Sequence, residues 1–387
     1  MNNFQRDIIS IIKSGLTNSK EKISDDFDPV KAYNFINSQG LAVVFYNGIV
    51  NSGIEMDEES QQHFKVNMIL YVIQSVKQDG EIKGLTEDFR NNKIDFMPLK
   101  GTVIRKLYPD MAMRHMCDSD LLIKPKQYDK IKKIMSDRGY DFVLESDHEF
   151  VWSKKDILNV ELHKYLIPSY YNDYFKYYGD GWNVAIPEND SKYRMSDEDF
   201  FVFNIVHFAK HYRASGIGIK GMLDVYMMIH NIKEIDQEYI KKELSKFGLV
   251  KFYENVLKTI DVWFNGAEED AATNKITDWV FSSGEYGTME KVIVSRALKK
   301  TGGENGNITR RQTFFSMIFL PYSSMCIKYS FLKKLPFLLP VMWVYRIVKS
   351  IIFKFDRLKK LKVNVGKITD ESMKKYRREL NDVGLDV

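Results

Sequence analysis

The chain has 387 residues, of which 44% are hydrophobic and 28% are charged, a composition typical of globular proteins and not of disordered or fibrous ones. This length predicts two or three structural units, because a single core stops growing at about 250 to 300 residues. The two cysteines, Cys117 and Cys326, exclude a disulfide framework and a zinc site built from cysteines. They indicate a reducing compartment.

The net charge of +5 is unevenly distributed. Residues 310–387 carry 17 Lys or Arg and 6 Asp or Glu, which leaves +11 in this tail and −6 in residues 1–309. Aromatic residues are interleaved with the cations of the tail. Two interpretations stay open: the tail packs on the acidic body, or it docks on an anionic membrane surface. Nucleic-acid binding is not expected.

No secretion signal is visible at the N-terminus, and no apolar run reaches the roughly 20 residues that span a bilayer. We therefore expect a cytoplasmic protein without transmembrane helices. Docking of the basic tail would make it peripheral at the inner face of the membrane.

Helical periodicity dominates residues 1–90. Apolar residues recur at spacings of three and four around Ile8 to Leu16 and again around Phe64 to Val76, the pattern of amphipathic helices. Residues 29–50 suit two short helices broken near Gly40. We expect a helical N-terminal region without chemistry of its own.

Short strands alternate with helices in the next part of the chain. Strand-type runs occupy residues 95–99, 116–123, 140–144, 150–153 and 157–166, and an amphipathic helix is expected over 127–137. The residues Lys100-Gly101-Thr102 form a glycine turn between the first strand and a helix. This alternation predicts an α+β core, with a mixed sheet flanked by helices.

Helical periodicity returns at Ser196, which with Asp199 resembles a capping box. That helix is expected to end near Gly216, and a second one to begin near Lys220. The predicted organisation is a helical region over 1–90, a core over 91–190, a helical domain over 191–300 that closes a cleft, and a helical tail over 310–387. Residues 301–309 are the candidate linker.

Asp118 and Asp120 are candidate metal ligands. Side chains on a strand alternate between faces, so residues two apart project from the same face. Two nearby carboxylates repel each other, and a hard cation such as Mg²⁺, which prefers oxygen ligands, relieves that repulsion. A solvated strand face is the alternative explanation of this pair.

Two neighbouring features strengthen the interpretation. Upstream, Gly101 and Thr102 at a helix start could hold phosphate groups, since glycine allows close backbone approach. Downstream, Glu161 and His163 alternate with apolar residues on another predicted strand and share a face. If that strand pairs with the Asp strand in matched register, Glu161 becomes a third ligand for two metal ions of an in-line phosphoryl transfer.

Together these residues resemble a known family. A Gly-Thr turn, an Asp-x-Asp strand and a later acid are similar to the DNA polymerase β-like nucleotidyltransferase superfamily. More narrowly, the chain resembles the bacterial uncharacterised nucleotidyltransferases often found among cell-surface polysaccharide genes, from about residue 96 to 229. The motifs are Leu99-Lys100-Gly101, Tyr108-Pro109, Arg114, Asp118-x-Asp120-Leu121-Leu122-Ile123, Glu161-Leu162-His163, His207-x-x-Lys210-His211 and Leu223-Asp224.

The resemblance implies transfer of a nucleoside monophosphate from an NTP such as ATP to an acceptor hydroxyl or phosphate, with pyrophosphate leaving. Mg²⁺ or Mn²⁺ would be the cofactor, with Asp118, Asp120 and Glu161 as its ligands, and polysaccharide biosynthesis the context. The sequence departs from the superfamily at Thr102, where a second small residue is usual, and at Glu161, where many relatives have Asp.

Several further residues are candidates with open alternatives. Lys100 and Arg114 could bind the triphosphate, or be solvated, and Lys100 could instead pair with an aspartate. His163 could position the acceptor or take its proton, since an imidazole titrates near neutral pH, or it could be structural.

In the resembling family, the helix that carries His207, Lys210 and His211 faces the nucleotide cleft. These residues could therefore line a base or acceptor pocket, with Asp224 orienting one of them, or they could simply pack the helix. Zinc binding by the two histidines is not expected without a third ligand. The alternative function from another class is a non-catalytic nucleotide-binding sensor or assembly protein that retained the fold.

Overall fold

The structure, a computed structural model, describes residues 1–285, 287–300, 319–322, 325–326, 329–353 and 369–386. The predicted linker over 301–309 and part of the basic tail lie outside the described residues. The strands are β1 (Phe96–Pro98), β2 (Asp118–Ile123), β3 (Asp141–Glu145), β4 (Glu149–Lys154), β5 (Leu158–His163), β6 (Ile186–Pro187) and β7 (Tyr193–Arg194). The helices are α1 (Asn3–Thr17), α2 (Pro29–Asn37), α3 (Ala42–Ser52), α4 (Glu58–Asn91), α5 (Lys100–Ile104), α6 (Tyr128–Asp137), α7 (Asn172–Tyr178), α8 (Asp197–Ala214), α9 (Ile219–Asn231), α10 (Gln237–Ser245), α11 (Val250–Phe264), α12 (Ala271–Phe281), α13 (Met289–Lys300), α14 (Leu339–Phe353) and α15 (Asp370–Asp382).

The N-terminal region is helical, as the periodicity predicts. Helices α2 and α3 are separated near Gly40, whose φ of 69° lies in the left-handed region that favours glycine. Helices α1 and α3 pack closely at two glycines. A Cβ added to Gly15 or to Gly48 would lie 2.0 Å from a carbonyl oxygen of the other helix, so only glycine fits at these positions. The region is thus a compact helical layer.

The central sheet has five strands in the order β1-β2-β5-β4-β3. Strand β2 pairs in parallel with β5, whereas the other neighbours pair antiparallel. The sheet is therefore mixed and flanked by helices, which confirms the predicted α+β class. The residues between β2 and β5 form the excursion that a parallel pairing requires.

The sheet has one apolar and one polar face. On the apolar face, β2 and β5 contribute Leu121 and Leu162, which pack with Phe89 of α4 and Met135 of α6 in one buried cluster. The opposite face carries the acidic residues of β2 and β5. Since alternate residues of each strand point to opposite faces, burial of the apolar set fixes the direction of the polar set.

The remaining helices cover the polar face. Helix α8 begins where predicted, with the Ser196 hydroxyl accepting a hydrogen bond from the backbone N–H of Asp199. Helices α8 to α12 share one apolar cluster with α1 to α3. The N-terminal and C-terminal helical regions therefore pack against each other on the side of the sheet that carries the acids.

The two described helices of the tail behave differently. On α15, Met373, Tyr376 and Leu380 are buried in the main apolar cluster, which is the packing alternative. On α14, Val341 and Val344 are each 60% exposed. None of the helices in the described residues is long and apolar enough to cross a membrane.

Candidate active site

Strands β2 and β5 bring the predicted acids together. Asp120 lies directly opposite Glu161 in the parallel register. Asp118 projects from the same face as Asp120, two residues away, and His163 from the same face as Glu161. Ligand atoms of Asp120, Glu161 and His163 all lie within 4.8 Å of one another. The structure therefore contains the matched register that the prediction of Glu161 as a third metal ligand required.

The two aspartates of β2 have different electrostatic surroundings. Burial and the charges of Asp120 and Glu161 raise the pKa of Asp118 to about 6. Asp120 Oδ1 accepts a hydrogen bond from Lys100 Nζ at 2.7 Å and lies 2.8 Å from His163 Nε2. Although burial opposes ionisation, the charge of Lys100 and the hydrogen bond with His163 hold the pKa of Asp120 below its usual value. The negative charge of Asp120 is therefore offset by neighbouring groups of the protein, whereas the negative charge of Asp118 is offset less.

Lys100, Gly101 and Thr102, which the sequence predicts as a turn before a helix, form the first turn of α5, and this turn is fixed to strand β2. Lys100 has a φ of 44°, a left-handed conformation that costs a non-glycine residue about 1 to 2 kcal/mol. Thr102 Oγ1 lies 3.0 Å from Ser119 Oγ and accepts a hydrogen bond from the backbone N–H of Asp120 at 3.2 Å. The Thr102 hydroxyl is thus engaged by β2, whereas Lys100 and Gly101 border the cavity.

Arg114 is clamped by Asp224 of α9. Its Nε and Nη2 each donate to a different oxygen of Asp224 at 2.7 Å, and the Tyr108 hydroxyl donates to Oδ1 at 2.9 Å. A Cβ added to Gly101 would lie 2.4 Å from Arg114 Nη1, so glycine makes room for the guanidinium. Asp224 thus contacts Arg114 and Tyr108, and its predicted role in orienting His207, Lys210 or His211 stays a prediction.

His163 lies beneath the acids and is only 1% exposed. Its Nε2 is 3.6 Å from Glu161 Oε2 and 3.4 Å from Lys100 Nζ, in addition to its contact with Asp120. Burial and the charge of Lys100 oppose protonation, but the hydrogen bond with Asp120 and the nearby carboxylate of Glu161 outweigh them and raise the pKa of His163. His163 therefore links the two acidic strands.

Helix α8 forms a basic wall of the same cavity. His207, Lys210 and His211 lie three and four residues apart and all line the cavity. Burial, followed by the charge of Lys100, lowers the pKa of Lys210 to about 7. Burial and the charge of Lys210 lower the pKa of His207 well below its usual value and that of His211 to about 3. The two histidines are neutral at pH 7, and Lys210 titrates there.

His148 and Glu149, which were not among the predicted site residues, both line the cavity. Glu149 lies opposite His163 across the antiparallel pairing of β4 with β5. His148 Nε2 is 3.0 Å from Glu149 Oε2. The predicted turn, Lys154-Lys155-Asp156, would place Glu149 opposite Glu161, whereas the structure pairs Lys154 with Leu158 and so places Glu149 opposite His163. Either register puts Glu149 on the face of the sheet that carries Glu161 and His163. The predicted strand began one residue too late, at Phe150.

The cavity has a volume of about 430 Å³ and lies between the sheet, α5, α8 and α9. Acids of β2 and β5 form one wall, and the basic residues of α8 form another. Clefts of this size commonly bind small molecules through a few converging polar groups. Paired strand acids, a glycine at the start of α5 and a mixed sheet covered by helices are together consistent with a nucleotidyltransferase-like α+β fold.

Residues 25–265, more than half of the chain, match the family of uncharacterised nucleotidyltransferases, and the chain belongs to this family. The predicted family is thereby confirmed, and the match supports nucleotidyl transfer as its general role. The match also extends beyond residues 96–229, so that helices α2 to α4 and α10 to α11 are part of the family domain. No curated protein and no solved structure matches the chain.

Proposed function

We propose that this protein transfers a nucleoside monophosphate from an NTP to an acceptor hydroxyl or phosphate and releases pyrophosphate. The observation that carries the proposal is the parallel register that places Asp120 opposite Glu161, with Asp118 on the same face of the sheet. Family membership supports the reaction class. The positions of the acids and of the basic residues around the cavity support the roles proposed for them below.

The acids suit a divalent metal ion. The raised pKa of Asp118 reflects burial beside two further carboxylates, and a hard cation stabilises such a group of oxygen ligands. Asp118, Asp120 and Glu161 would hold Mg²⁺ or Mn²⁺. When bound, the metal stabilises charge on the phosphoryl oxygens of the NTP. Lys100 would have to release Asp120 Oδ1, and its ammonium would then be available to a phosphate.

The basic wall suits the triphosphate. Lys210 lies in the same cavity as the acids, and its lowered pKa shows that its ammonium is unfavourable there without an anion. A phosphate oxygen would supply the missing charge through a charge-assisted hydrogen bond. His207 and His211, which are neutral, would contact the nucleotide by hydrogen bonding or stacking.

His163 and Arg114 are assigned supporting roles. His163 is buried and bonded to Asp120, so we propose that it positions the acid and does not take the proton of the acceptor. Arg114 donates two hydrogen bonds to Asp224 and also lines the cavity. It would align the turn and contribute positive potential to the phosphates.

The test is mass spectrometry of the products formed from each NTP in a cell extract, with and without Mg²⁺. A mass increment of one nucleoside monophosphate identifies donor and acceptor together. The Asp118→Asn/Asp120→Asn double variant should abolish the increment, whereas Asp173→Asn, a substitution on the separate helix α7, should retain it. An unchanged increment in the double variant would refute the proposal, and tight NTP binding without product would favour a nucleotide sensor.

The context suggested by the resemblance, assembly of cell-surface polysaccharide, stays a prediction, and so does docking of the tail on anionic lipid. The exposed valines of α14 support a surface role for that helix. Cosedimentation of the full chain with anionic and with neutral vesicles tests the docking of the tail on anionic lipid. Binding that does not depend on lipid charge would contradict this docking.

A further inference from the structure

A second group of metal-ligand side chains borders the same cavity, next to the acids of β2 in sequence but with other residues as its members. His115 and Cys117 lie two residues apart just before β2, and Glu285 follows α12. One ligand atom from each of these residues lies within 4.8 Å of the other two. Three chemically different donors therefore meet from two parts of the chain that are far apart in sequence.

The distances approach those of a tetrahedral site. His115 Nδ1 is 3.8 Å from Cys117 Sγ and 4.0 Å from Glu285 Oε1. In a tetrahedral zinc site, bonds of about 2.0 to 2.3 Å place neighbouring nitrogen, sulfur and oxygen ligands roughly 3.4 to 3.6 Å apart. The two pairs that include His115 would have to approach by about 0.2 to 0.6 Å, and the Cys117–Glu285 pair, which lies within 4.8 Å, by up to about 1.2 Å.

Surrounding contacts hold two of the donors in place. The ring of Tyr71 meets the His115 ring edge-on, with centroids 4.9 Å apart. Lys220 Nζ forms an ion pair with Glu285 Oε1, the oxygen that lies 4.0 Å from His115 Nδ1, so a bound Zn²⁺ would replace the ammonium at this oxygen. Cys117 is exposed, so its thiol is accessible to an incoming ion.

We propose that His115, Cys117 and Glu285 form a zinc site with three protein ligands. Imidazole, thiolate and carboxylate are the donors that Zn²⁺ accepts, whereas Mg²⁺ prefers oxygen alone. Two cysteines in the chain exclude a site built from cysteines but not this mixed one. Cys117 and Glu285 line the cavity, and an oxygen of water or of a molecule bound there would complete the tetrahedron.

This site is distinct from the proposed magnesium site and does not depend on nucleotidyl transfer. The described residues contain two other groups of three potential ligands, and both include His163 beside the acids of the sheet. They belong to the site described above. The His115 group shares none of its residues with them.

The experiment is zinc titration of the full chain, stripped of metal by a chelator, in competition with a chromophoric chelator. The wild type should bind one Zn²⁺ per chain through this site. Cys117→Ser and His115→Ala should each weaken binding by at least about 100-fold, and Glu285→Gln by about 10- to 100-fold. Cys326→Ser is the matched control, because Cys326 is buried elsewhere, and it should bind as the wild type does.

Alkylation provides a second readout that does not depend on enzyme activity. Zinc should slow the reaction of Cys117 with iodoacetamide by at least about tenfold, because a metal-bound thiolate is withheld from the reagent. Cys326 is the internal reference in the same mass spectrum. The proposal is overturned if the wild type binds no stoichiometric zinc, or if zinc binding survives both Cys117→Ser and His115→Ala.

Discussion

Lys210 should affect stability and ligand binding in opposite directions. In the empty cavity its ammonium is unfavourable, since burial and the charge of Lys100 outweigh the attraction of the nearby carboxylates. A bound phosphate would reverse the balance. We therefore expect Lys210→Met to stabilise the ligand-free protein and to weaken binding of pyrophosphate or NTP.

The size of the stability effect follows from linkage. A fall of the pKa from 10.5 to about 7 corresponds to at most about 5 kcal/mol, at about 1.4 kcal/mol for each pKa unit. Between these two values the unfolded state binds more protons than the folded state, so stability rises with pH. Lys210→Met should thus raise the free energy of unfolding by up to about 5 kcal/mol at pH 6 and by about 2 kcal/mol at pH 9.

The effect on binding follows from the lost charge. A hydrogen bond to a charged group contributes about 1.5 to 3 kcal/mol, so Lys210→Met should weaken pyrophosphate binding by about 10- to 100-fold. In the wild type, affinity should fall as the pH rises above 7, because Lys210 must take up a proton to receive the anion. This pH dependence should be reduced in the variant.

Urea unfolding at pH 6 and pH 9 measures the first effect, and isothermal titration with pyrophosphate measures the second. Lys242→Met, on the exposed side of α10, is the matched control and should change neither strongly. If Lys210→Met destabilises the protein at pH 6 and leaves pyrophosphate binding unchanged, Lys210 is a packing residue and the phosphate assignment is refuted.

The remaining predictions concern the turn, the clamp and the cofactor. Gly101→Ala should lower the free energy of unfolding by about 2 kcal/mol, because the new Cβ displaces Arg114. The control is Gly80→Ala in α4, where nothing lies within 4 Å of the added Cβ, and it should raise the free energy of unfolding by about 0.5 to 1 kcal/mol. Equal effects of the two substitutions in thermal unfolding would contradict the packing argument. Asp224→Asn should cost about 3 to 5 kcal/mol in urea unfolding, because it leaves the buried Arg114 without a counter-charge; a loss below about 1 kcal/mol would show that the clamp is not structural. Removal of divalent cations with EDTA should abolish pyrophosphate release from NTP and added Mg²⁺ should restore it, whereas release that persists in EDTA would exclude the metal-dependent reaction.

The sequence predicted the local elements well because their signals are local. The period of two in the strands around Asp120 and Glu161 predicted which side chains share a face, and the Ser196 cap marked the start of α8. The parallel pairing of β2 with β5 could be stated only as a condition. Strand partners depend on contacts far apart in sequence, which alternation within one strand does not encode.

The roles of charged residues were harder to predict, because each depends on partners from other elements. The Arg114–Asp224 clamp joins residues 110 positions apart, and no motif links them. Thr102 was assigned to phosphate from its place in the turn, yet its hydroxyl contacts strand β2. Glu149 was within reach of the sequence, since the predicted hairpin places it opposite Glu161, on the same face as His163, although the observed register differs by two residues.

The most direct test of the proposed active site is a crystal structure with Mn²⁺ and a non-hydrolysable NTP analogue, with the metal located by anomalous scattering. We expect manganese to be bound by Asp118, Asp120 and Glu161, with the triphosphate extending towards Lys210. Manganese at another position, or a nucleotide bound outside this cavity, would contradict it.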